Sequence, residues 1–392
     1  MFPAPSKYFL CKNRLNVIIP STCAENNNLA FLICSCYNEI MEEEKKKLSW
    51  PLVGNGHIID FLSGSVKNNN LAHTYIFHGP DNLGKTTAAN FFAQILLCHR
   101  NSEGLPCGEC SSCKKFSVNA NKTEYKEEYS LGGAHGDLYL IKKEKDKKNI
   151  SIGQIREFIR KLGMSSFLNS YKIGIIKHAD SLSIEAANAL LKTLEEPQKK
   201  VIIILVATDI GALPATVVSR GQVLKFNPVG FDVIYDYLIK ERSVSRSAAK
   251  NFSRICLGRP ALAVKFFEDK EFYDNYLKRV NVFLNFLNQD INGRLQSVEE
   301  LAAPCGAGPE AAVSVGRILE IWLGLSRDLL LLEFNHAELI QHEIALKELM
   351  AAKAKLNLEN LLNLTVALRQ ADKYIKANVS PKLVLERVAV SI

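Results

Sequence analysis

Residues 79–86 read GPDNLGKT and match the pattern G-x-x-x-x-G-K-[ST] in full. A short apolar stretch over residues 73–78 precedes them, and residues 88–97 continue with helical apolar spacing. In that context the glycines let backbone N–H groups surround phosphate groups at the N-terminus of a helix. The sequence therefore predicts a phosphate-binding loop between a strand and a helix of an α/β fold.

The loop also carries the side chains that bind a nucleotide. Lys85 is expected to reach the β- and γ-phosphates, and the Thr86 hydroxyl to ligate Mg²⁺ beside them. The alternative, a chance glycine turn before a helix, is disfavoured by the strand and helix on either side. The predicted nucleotide-binding residues of the loop are Gly79, Pro80, Asp81, Asn82, Leu83, Gly84, Lys85, Thr86 and Thr87.

Four cysteines follow this helix in the arrangement C-x8-C-x2-C-x2-C, at Cys98, Cys107, Cys110 and Cys113. Such spacing aims thiolates at one tetrahedral Zn²⁺, and four cysteines leave no coordination position open. A structural zinc site is therefore predicted. Unliganded thiols and an iron–sulfur cluster are the alternatives, although a ferredoxin run needs a fourth cysteine three residues further on, followed by proline, where residues 114–116 read KKF.

Composition excludes several classes of protein. The chain has 392 residues, of which 47% are hydrophobic and 23% charged, which is typical of globular proteins and excludes fibrous or wholly disordered ones. Its length suggests two or three domains. The longest apolar run, residues 201–207, is too short for a bilayer span of about 20 residues and suits a strand buried on both faces. We therefore expect a soluble protein with no membrane partner.

Charge and cysteine content point to a cytoplasmic protein. The formal charge of +8 permits a nucleic-acid or phosphate partner without requiring one. The 10 cysteines are too sparse for a disulfide-stapled scaffold, so a reducing compartment is expected. Residues 1–40 lack periodicity, and Met41 opens a charged stretch that leads into patterned sequence. We predict that Met41 is the true start and that residues 1–40 are not native; a flexible tail is the alternative.

Strands and helices alternate after the cysteines, as in a parallel nucleotide-binding sheet. Strands are predicted over residues 138–141, 173–176 and 201–207, and an amphipathic helix over residues 152–162. A further helix is capped by Ser183 and stops at Pro197.

The order of these features resembles a known family. The phosphate loop, the cysteine insert and the stretch ANALLKTLEEP at residues 187–197 resemble the clamp-loader subunits of bacterial DNA polymerase III, an AAA+ family with gamma/tau and delta-prime types. The resemblance covers residues 48–392 and is most specific between residues 79 and 220. Further matches are VGN at 53–55, HGD at 135–137, IR at 155–156, SR at 219–220 and ANVSPKLVLE at 377–386.

The resemblance implies an architecture and a set of partners. It implies an AAA+ nucleotide-binding domain over residues 41–227 with a zinc module at 98–113, a small helical lid over 228–270 and an all-α collar over 271–392 that assembles a pentamer. Val53 and Gly54 join the nucleotide-binding residues as part of an adenine-binding loop. The implied partners are the gamma/tau and delta subunits, the sliding clamp and primed DNA, with ATP and Mg²⁺ as possible ligands.

The chain departs from the motor subunits of this family at the end of one strand. Motor subunits have Asp-Glu after the strand that matches residues 173–176, whereas this chain has Lys177 and His178. A lysine donates hydrogen bonds only and cannot ligate Mg²⁺. Asp180 is a possible substitute, although it lies three residues past the strand. Ala261 occupies the place of the lid arginine, and Arg259 is out of register, so weak or absent hydrolysis in the chain's own site is expected.

Two residues carry the expected catalytic roles. By its match to the family's S-R-C motif, in which Gly221 replaces the cysteine, Arg220 is implied to act in trans as an arginine finger on a neighbour's nucleotide. The alternative is a plain surface or sheet-capping arginine. Thr208 matches a sensor position, and its alternative is an ordinary strand-terminal threonine.

Three functions remain open from the sequence. The replaced acidic pair favours a delta-prime stator that completes a neighbour's ATP site and helps open the clamp. The sequence also ends where the collar is expected to end, without the long tail of tau. A gamma-type motor ATPase is the second interpretation, supported by the intact loop. A zinc-containing P-loop kinase or ATPase unrelated to replication is the third, and the 187–197 stretch argues against it.

Overall fold

The computed structural model describes residues 49–101, 104–120, 135–144, 147, 149–164, 171–302 and 309–391. The predicted extension over residues 1–40 and the predicted start at Met41 lie outside the described residues.

Five parallel strands form one sheet in the order β2-β3-β4-β1-β5. The strands are β1 Thr74–His78, β2 Leu138–Ile141, β3 Lys172–Lys177, β4 Val201–Ala207 and β5 Gln222–Lys225. All residues of β4 are buried, as its apolar run predicts. Because the strands are parallel, their carboxyl ends meet at one edge of the sheet, where ligands bind in open α/β sheets.

Helices cover both faces of the sheet, which confirms the predicted α/β class. They are α1 Gly56–Lys67, α2 Lys85–Leu97, α3 Ser111–Ala120, α4 Ile152–Leu162, α5 Ile184–Glu195 and the short α6 Ala215–Val218. Successive residues of a strand point to opposite faces, so Phe77 packs with Phe92 in one apolar cluster and Ile76 with Phe158 in the other. The sheet is therefore the middle layer of three.

Local signals in the sequence place the helices as predicted. The Ser151 hydroxyl accepts from the backbone N–H of Gln154 in a capping box, and Ser183 caps α5 by accepting from the N–H of Ala186. Helix α5 ends at Glu195, two residues before Pro197. Both predicted helices are confirmed.

The rest of the described chain is helical. Its helices are α7 Phe231–Lys240, α8 Arg246–Ile255, α9 Pro260–Glu268, α10 Lys270–Phe286, α11 Ile291–Ala302, α12 Pro309–Glu333, α13 Leu346–Lys353, α14 Leu358–Lys376 and α15 Pro381–Val390. One apolar cluster runs through these helices and includes the fully buried Trp322 of α12. Within the described ranges, none of the helices has the length and hydropathy needed to cross a bilayer.

A buried polar group ties α10 and α12 to the segment that follows α12. The Asp328 carboxylate accepts from the backbone N–H of His342 at 2.8 Å and lies 2.7 Å from the ring Nδ1 of His342. The other ring nitrogen lies 2.8 Å from the hydroxyl of Tyr276. Because buried polar groups cost free energy unless they are hydrogen-bonded, this connected group specifies how these helices pack.

Candidate nucleotide-binding site

The phosphate loop leaves the carboxyl end of β1, which lies between β4 and the edge strand β5. Gly79 has φ of +137°, and a Cβ there would lie 2.4 Å from the carbonyl oxygen of Phe226. Phe226 in turn donates its backbone N–H to the carbonyl of His78 at 2.8 Å. Asn82 and Gly84 also have positive φ, of 63° and 90°. The loop is therefore held tightly against the exit of β5, and Gly79 has no room for a side chain.

Lys85 lies at the centre of the loop, in the first turn of α2. Its side chain is only 6% exposed. The ammonium donates to the carbonyl of Gly79 and, at 2.8 Å, to that of Pro80, and it lies 3.8 Å from the carboxylate of Asp81. Burial lowers the pKa of Lys85, whereas the nearby Asp81 and Asp180 carboxylates act to raise it. The loop therefore holds a buried cation where a phosphate chain is expected.

The predicted adenine-binding residues lie next to the segment that leads into α7. A Cβ on Gly54 would lie 2.7 Å from the side chain of Val229. The Asn55 side chain exchanges two hydrogen bonds with the backbone of Asn227, at 3.0 and 2.8 Å. A Cβ on Gly84 would come within 2.8 Å of Leu52. The structure thus brings residues 52–55 against both the phosphate loop and residues 227–229.

The first turn of α9 closes the other side of the loop. The backbone N–H of Ala261 donates to the carbonyl of Asn82 at 3.1 Å. Arg259 does not compensate for the missing arginine at this position, because its guanidinium pairs with Glu320 of α12 at 2.8 Å and donates to the carbonyl of Cys256. Helix α9 therefore contacts the loop through its backbone, while its nearest arginine contacts α12.

The ends of β3 and β4 lie beside the phosphate loop. At the end of β3 are Lys177 and His178, which stand where the resemblance implies an acidic pair. Lys177 ends β3, and both its burial and the charge of Lys142 lower its pKa. His178 is exposed, and its backbone adopts the left-handed conformation, with φ of 54°. A short turn, Ala179–Ser181, then returns the chain to β4, where the hydroxyl of Thr208 donates to the carboxylate of Asp180 at 2.9 Å. The structure thus pairs the predicted sensor residue with Asp180.

Arg220 lies at the opposite edge of the sheet. Its guanidinium is 2.6 Å from the carboxylate of Glu195 and donates to the carbonyl of Thr216 at 2.8 Å. The next residue, Gly221, lies against Thr74 at the start of β1. The phosphate loop begins after the other end of β1, about 16 Å away at strand spacing. The structure therefore does not bring Arg220 together with the loop of its own chain.

The four predicted cysteines converge. Their sulfur atoms all lie within 4.8 Å of one another, and the pairs Cys98–Cys110 and Cys107–Cys113 are each separated by 4.0 Å. A disulfide needs about 2.05 Å, whereas tetrahedral Zn–S bonds of about 2.3 Å place sulfur atoms about 3.8 Å apart. This donor set and its separations fit one tetrahedral metal ion.

Backbone N–H groups support thiolates in this cluster. Those of Cys107, Cys110 and Cys113 donate to the sulfur atoms of Cys98, Cys107 and Cys110 at 3.3 to 3.4 Å. Burial acts to raise the pKa of Cys110, but hydrogen bonds from backbone N–H groups, that of Cys113 first, lower it to about 6. Burial raises the pKa of Cys113 above its ordinary value. Since metal binding deprotonates all four thiols, the site suits a cation that binds thiolates.

Known proteins are similar to this chain over the region that carries the phosphate loop. The family described as DNA polymerase III, delta subunit, matches residues 54–230. The DNA polymerase III subunit delta' of Bacillus subtilis is 25% identical over 335 residues, which cover 86% of this chain and 95% of the relative. The subunit delta' of Pseudomonas aeruginosa is 30% identical over 149 residues, 38% of this chain and 41% of the relative.

The chain is similar to delta-prime and tau/gamma subunits of DNA polymerase III. The tau subunit of B. subtilis is 33% identical over 178 residues, which cover 45% of this chain and 29% of that protein. A solved Thermotoga maritima protein related to the DNA polymerase III gamma subunit aligns over 84% of this chain and 97% of its own, at 16% identity and a TM-score of 0.38. The similarity to these subunits is carried by the sequence matches.

The structure adds contacts that the sequence did not predict. The pairing of Arg220 with Glu195 joins the two ends of the segment between α5 and β5. The contact between Ala261 and Asn82 joins α9 to the phosphate loop through backbone atoms, so no side-chain pattern could have indicated it. Glu195 belongs to the LEEP stretch at residues 194–197, but only the folded chain shows that its ion-pair partner is Arg220.

Proposed function

We propose that this chain is the delta-prime subunit of a DNA polymerase III clamp loader. In this role it is a stator in an AAA+ pentamer, and it supplies Arg220 to the ATP site of a neighbouring subunit. The observation that carries the proposal is the position of Arg220 at the edge of the sheet opposite the chain's own phosphate loop. An arginine in that place can serve only a nucleotide held by another chain.

The chemistry of the two edges of the sheet supports a different role for each edge. An arginine finger stabilises negative charge on the γ-phosphate in the transition state, and a planar guanidinium suits that task. At the chain's own loop, Lys177 and His178 stand where motor subunits have the acidic pair, so own hydrolysis is weak or absent. Thr208, in its sensor-like position, contacts Asp180 instead of such a pair.

The proposed domains follow from this role. Residues 41–227 form the AAA+ domain, residues 228–270 the lid and residues 271–392 the collar that assembles the pentamer with gamma/tau and delta. The contact between α9 and the phosphate loop supports a lid that rests on the nucleotide site. The complex acts in the cytoplasm on the sliding clamp and primed DNA.

The four cysteines are proposed to hold a structural zinc ion. The separations of their sulfur atoms support this, and the ion would join the end of α2 to α3. Metal analysis of the purified chain is expected to give one zinc per chain and no iron. Replacing Cys110 with Ser is expected to lower both zinc content and thermal stability. Iron with visible absorption would instead indicate an iron–sulfur cluster.

A second candidate is a gamma-type motor ATPase of the same complex. It is favoured by one observation, the complete phosphate loop with Lys85 buried at its centre. Such a motor would hydrolyse ATP in its own site, with Asp180 or His178 in place of the missing acids.

The experiment that separates the two is ATP turnover by the loader reconstituted with clamp and primed DNA. Arg220→Ala and Lys85→Ala are compared with Arg160→Ala, a control that removes an exposed arginine of α4. The stator predicts that Arg220→Ala lowers turnover strongly and that Lys85→Ala has little effect. A motor predicts the reverse, and an unchanged rate in both variants would contradict both functions.

A further inference from the structure

We propose that Asp180 is the Mg²⁺ carboxylate of this chain's own nucleotide site, so that the site binds Mg²⁺–ATP without turning it over. This inference rests on the proposed nucleotide-binding role of the phosphate loop and goes beyond it, because it assigns a metal ligand at a position where the family pattern has none. It also separates metal binding from hydrolysis within one site.

The first observation is where Asp180 lies. The turn Ala179–Ser181 carries it back from the end of β3 to the end of β4, where it accepts a hydrogen bond from Thr208. Its charge reaches the ammonium of Lys85, since it acts to raise the pKa of that lysine. A carboxylate that interacts with both the loop lysine and the end of β4 occupies the same edge of the sheet as the phosphate loop.

The second observation is an unused oxygen. The Oδ2 atom of Asp180 accepts from Thr208, but Oδ1 is buried and has no hydrogen-bond partner among the described residues. A buried carboxylate oxygen without a partner is costly, and a cation would satisfy it. Mg²⁺ needs few protein ligands, because it keeps several waters and is held by one or two carboxylates and the phosphates of its nucleotide. Asp180 and the Thr86 hydroxyl would suffice.

The neighbouring residues cannot take this role. Lys177 donates only, and the exposed His178 is a poor ligand for a hard cation that prefers oxygen. Asp81 is an exposed loop residue whose carboxylate already faces the ammonium of Lys85. Lys177 and His178 stand where an acid would orient the attacking water molecule, so metal binding at Asp180 does not restore hydrolysis.

The test measures the affinity of the purified chain for a fluorescent ATP analogue, in Mg²⁺ and in EDTA. For the unaltered chain, Mg²⁺ is expected to strengthen binding about tenfold or more. Asp180→Asn keeps an oxygen that can accept from Thr208 but loses the charge. It is expected to abolish the Mg²⁺ effect and to bind more tightly than the unaltered chain in EDTA, because a carboxylate without a metal repels phosphate.

Asp209→Asn is the matched control. It removes the same charge from the residue after Thr208, and its side chain still can cap the following turn, where it now accepts from the N–H of Gly211 at 2.9 Å. This variant is expected to retain the full Mg²⁺ effect. Thermal unfolding of each variant verifies that the fold is intact, and bound Mn²⁺ detected by electron paramagnetic resonance gives a second readout that does not depend on turnover.

The outcomes separate this inference from the nucleotide site itself. An equal Mg²⁺ effect in Asp180→Asn and the unaltered chain would overturn the assignment of Asp180, and so would a chain that binds the analogue equally well in Mg²⁺ and EDTA. If Lys85→Met binds as tightly as the unaltered chain, the loop does not hold the nucleotide, and this inference fails together with the nucleotide-binding role of the loop, whereas the proposed role of Arg220 is unaffected.

Discussion

The two edges of the sheet in this protein differ in which parts of the proposed ATPase machinery they carry. At the carboxyl edge the phosphate loop is complete, and Lys85 is buried within it, but β3 ends on a lysine and is followed by a histidine. At the amino edge the chain has the serine and arginine that resemble the S-R-C motif, and Arg220 is oriented by two partners. Under the proposed function, such a chain can lack hydrolysis in its own site and keep the residue that a neighbour needs, because the two edges are built from different ends of the same strands.

Substitution of Arg220 at the amino edge of the sheet is expected to give the largest change in ATP turnover. Arg220→Lys keeps the charge but loses the planar fork that spans two oxygen atoms, so turnover at the neighbour's site is expected to fall about 100- to 1,000-fold. Single-turnover hydrolysis by the reconstituted loader measures it, with Arg160→Lys as the control. A loss of less than about threefold would mean that Arg220 is an ordinary surface arginine.

Substitution of Lys85 at the carboxyl edge of the sheet is expected to weaken nucleotide binding by this chain and to change little else. Lys85→Met removes the buried ammonium, and nucleotide affinity of the isolated chain is expected to fall about 10- to 100-fold, or about 1.4 to 2.7 kcal/mol. Equilibrium titration with a fluorescent nucleotide measures it. The turnover of the complete loader is expected to change by less than about twofold, and a large loss there would remove the contrast between the edges.

The pH dependence of that binding follows from the lowered pKa of Lys85. The ammonium form binds phosphate, so affinity is full below the pKa of Lys85 in the folded chain and is lost as pH rises through it. Because burial lowers this pKa, the loss is expected at a lower pH than an ordinary lysine would give. Lys85→Arg, which stays charged, is expected to show no such loss. An unaltered chain whose affinity stays constant up to the ordinary pKa of lysine would contradict the role of the ammonium.

Substitutions at the two edges are also expected to lower the free energy of unfolding by different amounts. An alanine at Gly79 would need φ of +137° and would meet the carbonyl oxygen of Phe226 at 2.4 Å, which is backbone and cannot move aside. At Gly221 the new Cβ would meet the side chain of Ile76 at 2.7 Å, which can shift. Gly79→Ala is therefore expected to lower the free energy of unfolding by about 1–3 kcal/mol and more than Gly221→Ala, as measured by urea unfolding. Gly56→Ala, which meets nothing within 4 Å, is the control.

The sequence predicted the fold well where patterns are local. The alternation of strands and helices, the caps at Ser151 and Ser183 and the stop before Pro197 depend on neighbouring residues, and the structure confirms the helices they define. The convergence of the four cysteines was also predicted, since their spacing is short.

Contacts between distant segments could not be predicted in the same way. Asp180 lies three residues past β3, so its spacing does not predict a role at the end of that strand, yet a short turn brings it to Thr208. The sequence places Arg259 out of register with the implied lid arginine, and the structure pairs it with Glu320 of α12. In both cases the partner lies far along the chain, and only the packing of the elements selects it.

The smallest expected effect concerns how Arg220 is held. Its ion pair with Glu195 is short, at 2.6 Å, but both side chains are partly exposed, at 34% and 49%, and such pairs contribute about 0.2 to 1 kcal/mol. Glu195 therefore competes only weakly with a phosphate of the neighbour. Glu195→Gln is expected to raise turnover of the reconstituted loader by at most about fivefold at low salt, and by less at high salt, where the pair is screened. The carbonyl of Thr216 still orients the guanidinium.

Glu196→Gln is the matched control for that change, because it removes the same charge from the next residue and no ion pair of Glu196 is found in the described part of the chain. Its turnover is expected to match that of the unaltered loader at every salt concentration. If Glu195→Gln instead lowers turnover as far as Arg220→Lys does, Glu195 positions the finger and does not compete for it. The amino edge would then depend on a carboxylate for its activity, as the motor subunits do at the carboxyl edge.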